Sequence, residues 1–103
     1  MEITKRGLDA KKIEKIADFL KTIGHPLRLQ ILELLEQEEP LTVTDIQNKI
    51  EIKAEQSLLS HHLIKLKDKG ILESEKKGMF TYYRLADRSV LKVFDCMDNC
   101  ELF

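Results

Sequence analysis

A chain of 103 residues, 43% apolar and 34% charged, fits one globular domain with one modest core. No apolar run reaches the roughly 18–20 residues needed to span a bilayer. The opening MEITKRGLDAKK mixes charges with no apolar segment behind it, which excludes a secretory signal and makes the cytoplasm the expected location.

The net charge of −1 excludes a general polycation but hides an uneven spread. Residues 53–84 carry seven Lys/Arg against four Asp/Glu, whereas residues 24–52 carry two against six. Screening confines a local basic patch to about 10 Å at moderate salt, so the patch acquires meaning only from the motif that holds it.

Ile13, Ile16, Ala17, Leu20 and Ile23 form one stripe of an amphipathic helix. Gly24-His25-Pro26 ends it, and Pro26 suits the first turn of the next. There Leu27, Ile31, Leu34 and Leu35 make a stripe that Leu29 and Leu32 widen, the pattern of a helix largely surrounded by protein. The acidic run Glu36 to Glu39 and Pro40 close it. Thr44-Asp45-Ile46-Gln47 has the form of a capping box and predicts a short third helix carrying Ile46 and Ile50. After a break around Glu51 to Ala54, a fourth helix turns Leu59, Leu63 and Leu66 inward and stops at Gly70. Two strands then flank a turn at Lys76-Lys77-Gly78, the second alternating from Met79 to Leu85. Asp87 is the expected N-cap of a last helix with Val90, Val93, Phe94 and Met97 on one side. The order α-α-α-α-β-β-α gives a mainly α fold with a β-hairpin and no repeats or linkers.

A short helix, a tight break and a helix of about four turns outline a helix-turn-helix. Opposite its leucines the fourth helix presents Gln56, Ser57, Ser60, His61 and Lys65, small or slender at the N-terminal end and cationic further on. That suits insertion into a major groove, where Gln pairs with adenine and Ser or His reaches base edges or phosphates. His61 and His62 lie about 100° apart around the axis, so His61 belongs to the polar face and His62 to the packed one. Lys76 and Lys77 at the hairpin tip are placed to meet phosphates, which adds affinity without sequence information. Phe80, Tyr82 and Tyr83 read as core and interface.

The segments IGHPLRLQILELL, LTVTDIQNKI, QSLLSHHLIKLKDKGIL and GMFTYYRL together resemble the ArsR/SmtB family of bacterial winged-helix repressors. The resemblance runs from about residue 17 to 87. It implies a single winged helix-turn-helix domain over 1–103, homodimerisation through the first and last helices, and double-stranded operator DNA as partner. It also implies DNA contacts at the positions of Gln56, Ser57, Ser60 and His61, to which Thr44, Lys65, Lys76 and Lys77 are added as expected contacts. The segment EIKAEQS departs from the family pattern: it is about one residue longer, with Glu55 where a capping serine is common. A carboxylate suits a helix N-terminus but is repelled by phosphate.

Many family members sense metals. Their Cys-x-Cys site has no counterpart in TVTD, and their last-helix site is matched only by Asp87, Ser89 and Cys100, without a fourth ligand for a tetrahedral ion. No metal and no cofactor is therefore expected. Cys96 and Cys100 leave three readings open: small apolar fillers at a dimer interface, a redox or thiol switch, or capture of a soft metal or arsenite. Asp95, Asp98 and Glu101 nearby weigh against reactivity. Whether an effector exists is not legible. An enzyme is excluded by the absence of a phosphate-cradling loop, a nucleophile with its base, or a paired-carboxylate cleft. A winged helix used only for protein contact is the remaining alternative, and it would favour apolar residues on the exposed face of the fourth helix.

Overall fold

Five helices and one antiparallel hairpin follow one another in the computed structural model, which describes residues 7–102. The opening residues 1–6, part of the segment read as lacking a signal, and residue 103 lie outside the described residues. Helix α1 (Ala10–Ile23) starts where Asp9 Oδ1 accepts from the Lys12 N–H at 2.8 Å. Helix α2 (Pro26–Gln37) begins with Pro26 in its first turn, as expected, and His25 Nδ1 accepts from the Leu27 N–H at 3.2 Å.

Helix α3 (Val43–Lys49) has its capping box two residues earlier than the sequence pattern indicated. Thr42 Oγ1 accepts from the Asp45 N–H and Asp45 Oδ2 from the Thr42 N–H, both at 3.1 Å. Thr42 can cap because it is extended (φ −84°, ψ 168°) just outside the helix, whereas Thr44 is already in the first turn. Asp replaces Gln as the reciprocating residue.

Helix α4 (Gln56–Asp68) ends at Gly70, whose φ of +76° is a left-handed stop that a side chain would resist. Strands β1 (Leu72–Lys77) and β2 (Phe80–Leu85) pair from Leu72↔Leu85 to Lys77↔Phe80. The turn is therefore Gly78-Met79, and Lys76 and Lys77 belong to the strand rather than to the turn. Gly78 takes φ +63° while Met79 does not go positive, the φ signature of a type II′ turn with glycine first. Leu41 extends the sheet by one residue on the free edge of β2, exchanging both backbone hydrogen bonds with Tyr83 at 2.8 and 3.0 Å.

Asp87 caps a 3-10 turn (Arg88–Leu91) instead of the last α-helix itself, and α5 (Lys92–Asp98) runs on from that turn. The expected last helix is thus split, with Val90 in the tighter part. Burial of Ile31, Leu32, Leu35, Ile46, Leu59, Leu63 and Leu66 builds the core between α2, α3 and α4. Removing such a side chain from water stabilises the fold by about 1.5–3 kcal/mol each.

Candidate nucleic-acid interface

The break between α3 and α4 is held by glutamines. Gln30 Oε1 accepts from the Ile52 N–H at 2.8 Å, and Gln47 Nε2 donates to the Ala54 carbonyl at 3.1 Å. Gln56 Nε2 donates to Thr44 Oγ1 at 3.3 Å, so two of the residues expected at DNA meet each other across the helix pair. Gln47, expected to close a capping box with Thr44, instead reaches Ala54, and no expectation attaches to Gln30 in the sequence. A long-range glutamine contact leaves no periodic signature, so nothing there could have marked them. Glu55 is the N-cap of α4 but makes no side-chain capping bond, which leaves its carboxylate exposed at the helix start.

Along α4 the two faces separate cleanly. Leu59, Leu63 and Leu66 are fully buried, and helical spacing stacks Ser57, Ser60 and His61 on the opposite side. Ser57, His61 and Lys65 are exposed and Ser60 half-buried. The exposed surface is not wholly polar, however, because Leu58 and Ile64 are each about half exposed. Neither was among the residues expected to shape this face.

His62 is 5% exposed, on the packed side as its angular offset required. Its Nδ1 accepts from Arg28 Nε at 2.9 Å, and Arg28 Nη1 also donates to the Thr22 carbonyl at 2.8 Å. One guanidinium thus joins the last turn of α1, the first turns of α2 and the middle of α4. The His25 ring stacks obliquely on His62 with centroids 4.5 Å apart. Burial holds the His62 pKa below the usual histidine range, and the positive charges at His25, Arg28 and His61 add to that effect.

The hairpin carries its cations at the tip. Successive strand residues face opposite sides, so Lys77 shares the outer face with Phe80 and Tyr82, with Nζ 6.0 Å from the Tyr82 ring centroid. Lys76 lies on the face of Thr81 and the buried Tyr83. Phe80, expected in the core or an interface, is more than half exposed because it closes the two-residue turn, and Met79 at the apex is 93% exposed. Arg84 is engaged by Glu75 at 2.9 Å and Glu73 at 3.5 Å. Lys65, Lys67, Lys76 and Lys77 form no ion pair among the described residues, whereas Lys49, Lys69 and Arg88 do.

At the base of the wing, Glu39 Oε2 accepts from the Leu85 N–H at 2.9 Å and Glu39 Oε1 from Arg88 Nη1 at 3.0 Å. Arg88 Nη2 also donates to the Glu36 carbonyl at 2.9 Å. Asp87 accepts from the Ser89 N–H at 2.8 Å, and that bond holds its carboxyl below the usual range. No cluster of three or more His, Cys, Asp or Glu able to hold a metal occurs among the described residues. Cys96 is exposed on α5, and Cys100 lies half-buried just beyond the helix end, its N–H donating to the Met97 carbonyl at 3.1 Å.

Between the first and last helices, Ile13, Ile16 and Leu20 of α1 and Met97 of α5 are exposed. Leu20, Ile23, Leu29, Val93, Phe94 and Met97 line a cleft of about 670 Å³ there. Among the described residues no helix is long and apolar enough to cross a membrane.

A groove-sized helix set on a short capped helix, with a lysine-tipped hairpin beside it, defines a winged helix-turn-helix regulator that binds DNA, not an enzyme. The family model for bacterial regulatory proteins of the arsR family matches residues 25–74. An HTH-type transcriptional regulator of Methanocaldococcus jannaschii is 36% identical over 86% of this chain and 98% of its own. The transcriptional repressor PagR of Bacillus anthracis is 36% identical over 81% of each chain. The crystal structure of PagR superposes with a TM-score of 0.72 at 30% identity, covering 86% of this chain and 99% of PagR. A homodimeric winged helix-turn-helix DNA-binding domain from Mycobacterium bovis gives 0.70 at 28% identity, covering 89% and 85%. The chain belongs to the ArsR family of transcriptional regulators.

Proposed function

We propose that the chain, a single winged helix-turn-helix domain over 1–103, is a cytoplasmic homodimeric repressor. Its two α4 helices enter successive major grooves about 34 Å apart and read an imperfect palindrome. Gln56, Ser57, Ser60 and His61 face the bases, with Thr44 bridging to Gln56. Lys65 and whichever of Lys76 and Lys77 faces the duplex neutralise phosphates. Bound at a promoter, the dimer blocks polymerase by occupancy.

The observation that carries this reading is the row of exposed Ser57 and His61 and half-buried Ser60 on a helix anchored by the fully buried Leu59, Leu63 and Leu66. Uncovered apolar side chains on α1 and α5 support a twin packing on that side, and the homodimeric state of the Mycobacterium bovis domain supports it further. Cys96 and Cys100 sit at the same end, and we assign them to that interface as packing rather than to a thiol sensor. The test is gel filtration of the purified protein, followed by fluorescence anisotropy with the duplex upstream of its own gene and with random duplex. A dimer that prefers the upstream duplex supports the reading. A monomer, or equal affinity for both duplexes, overturns it.

A further inference from the structure

Ile64 stands out on α4. It lies one turn beyond Ser60 and His61 and two turns beyond Ser57, so helical geometry sets all four on one face. At 49% exposure it is not part of the core that Leu59, Leu63 and Leu66 fill on the opposite side. Lys65 and Lys67 flank it and form no ion pair among the described residues. Asp68 follows one turn later on the same face, and its carboxylate would be repelled by DNA, so the stretch suited to the groove closes at Ile64 and Lys65.

Among the base edges of the major groove, only thymine presents an apolar group, its C5 methyl. Serine and histidine sort donors from acceptors but gain nothing from a methyl. A branched aliphatic side chain in the same row has the complementary property. It makes no hydrogen bond and gains by shedding water against carbon.

We propose that Ile64 is a specificity-determining residue whose side chain packs on the methyl of a thymine in each half-site, adjacent to the bases faced by Ser60 and His61. The proposal rests on α4 being the DNA-reading helix. Burial of one methyl-sized group corresponds to about 0.8 kcal/mol, or roughly fourfold in affinity per half-site.

The test begins by selecting an operator from a random duplex pool with the full chain. Each thymine is then replaced symmetrically by uracil, which removes the methyl and nothing else, and affinities are read by fluorescence anisotropy. Wild type is expected to lose about fourfold per half-site, roughly 16-fold in all, at one symmetric position. Ile64→Ala should bind the thymine operator as weakly as wild type binds the uracil one, and should not distinguish the two. Circular dichroism of Ile64→Ala should match wild type, since the residue lies outside the core. Three results overturn the proposal while leaving DNA reading by α4 intact: no uracil-sensitive position in wild type, a sensitive position whose penalty persists in Ile64→Ala, or a variant equally weakened on both duplexes. If the pool yields no preferred sequence at all, base readout by α4 itself falls, and the thymine contact with it.

Discussion

Arg28→Met removes the donor that joins three helices while keeping most of the side chain's volume. It leaves His62 Nδ1, buried on α4, and the Thr22 carbonyl at the end of α1 without the Arg28 hydrogen bonds. An unsatisfied buried acceptor costs about 1–3 kcal/mol. The lost bond to the Thr22 carbonyl adds the ordinary net value of a hydrogen bond, about 0.5–1.5 kcal/mol. A total of about 1.5–4.5 kcal/mol should lower the melting temperature by roughly 6–36 °C for a domain of this size. His62→Phe leaves Arg28 Nε without its acceptor while Nη1 keeps the Thr22 carbonyl, and is also expected to destabilise. The double variant Arg28→Met/His62→Phe has no orphaned partner in the pair, and should be less destabilised than the sum of the singles by at least about 1 kcal/mol. Urea denaturation of the four proteins at fixed protein concentration measures that coupling. Additivity within about 0.3–0.5 kcal/mol would refute the claim that Arg28 and His62 act as a pair.

The depressed pKa of His62 has a definite sign: the unfolded chain, titrating near pH 6.5, takes up the proton before the native state does. Stability is therefore full above about pH 6.5 and lost as pH falls from there through the lowered native value; the loss should be smaller in His62→Gln, and an unchanged pH profile would exclude His62 as its source. Lys76 and Lys77 project from opposite faces of the wing, so one per hairpin should meet a phosphate. The Lys76→Ala/Lys77→Ala dimer should then lose about 1.8 from the slope of log affinity against log salt, at roughly 0.9 per phosphate contact; a loss near 3.6, or none, would contradict that geometry. Thr42→Ala should cost about 1 kcal/mol by removing the α3 cap, with Thr44→Ala much less destabilising. Equal chemical-denaturation midpoints for the two would show the capping box to be misplaced.

The element order and the packed face of α4 were legible because burial imposes periodicity. Leu59, Leu63 and Leu66 repeat at helical spacing, and the same angular argument separated His61 from His62. Single-residue placements were less accessible. Thr42 and Thr44 carry the same hydroxyl, and only the backbone around them decides which one caps. The hairpin turn shifted past the lysines because Gly78 fits the first central position of a two-residue loop, a choice that strand pairing settles and composition does not. Gln30, Gln47 and Arg28 act across 7 to 34 positions of sequence separation, where no local pattern records the partner. Ile64 was legible by the same angular spacing, which puts it in the row of Ser57, Ser60 and His61, but polar groups are what a DNA-reading face first brings to mind and its side chain is aliphatic.

Glu39 holds the root of the hairpin with one carboxylate oxygen and the start of the C-terminal segment with the other. Wing and tail thus share one carboxylate as a common anchor, beside their separate attachments through the Leu41–Tyr83 pair and the Arg88 bond to the Glu36 carbonyl. A displacement of the tail that breaks the Arg88 contact would also disturb the carboxylate that holds the Leu85 N–H, which couples the C-terminal segment to the root of the hairpin.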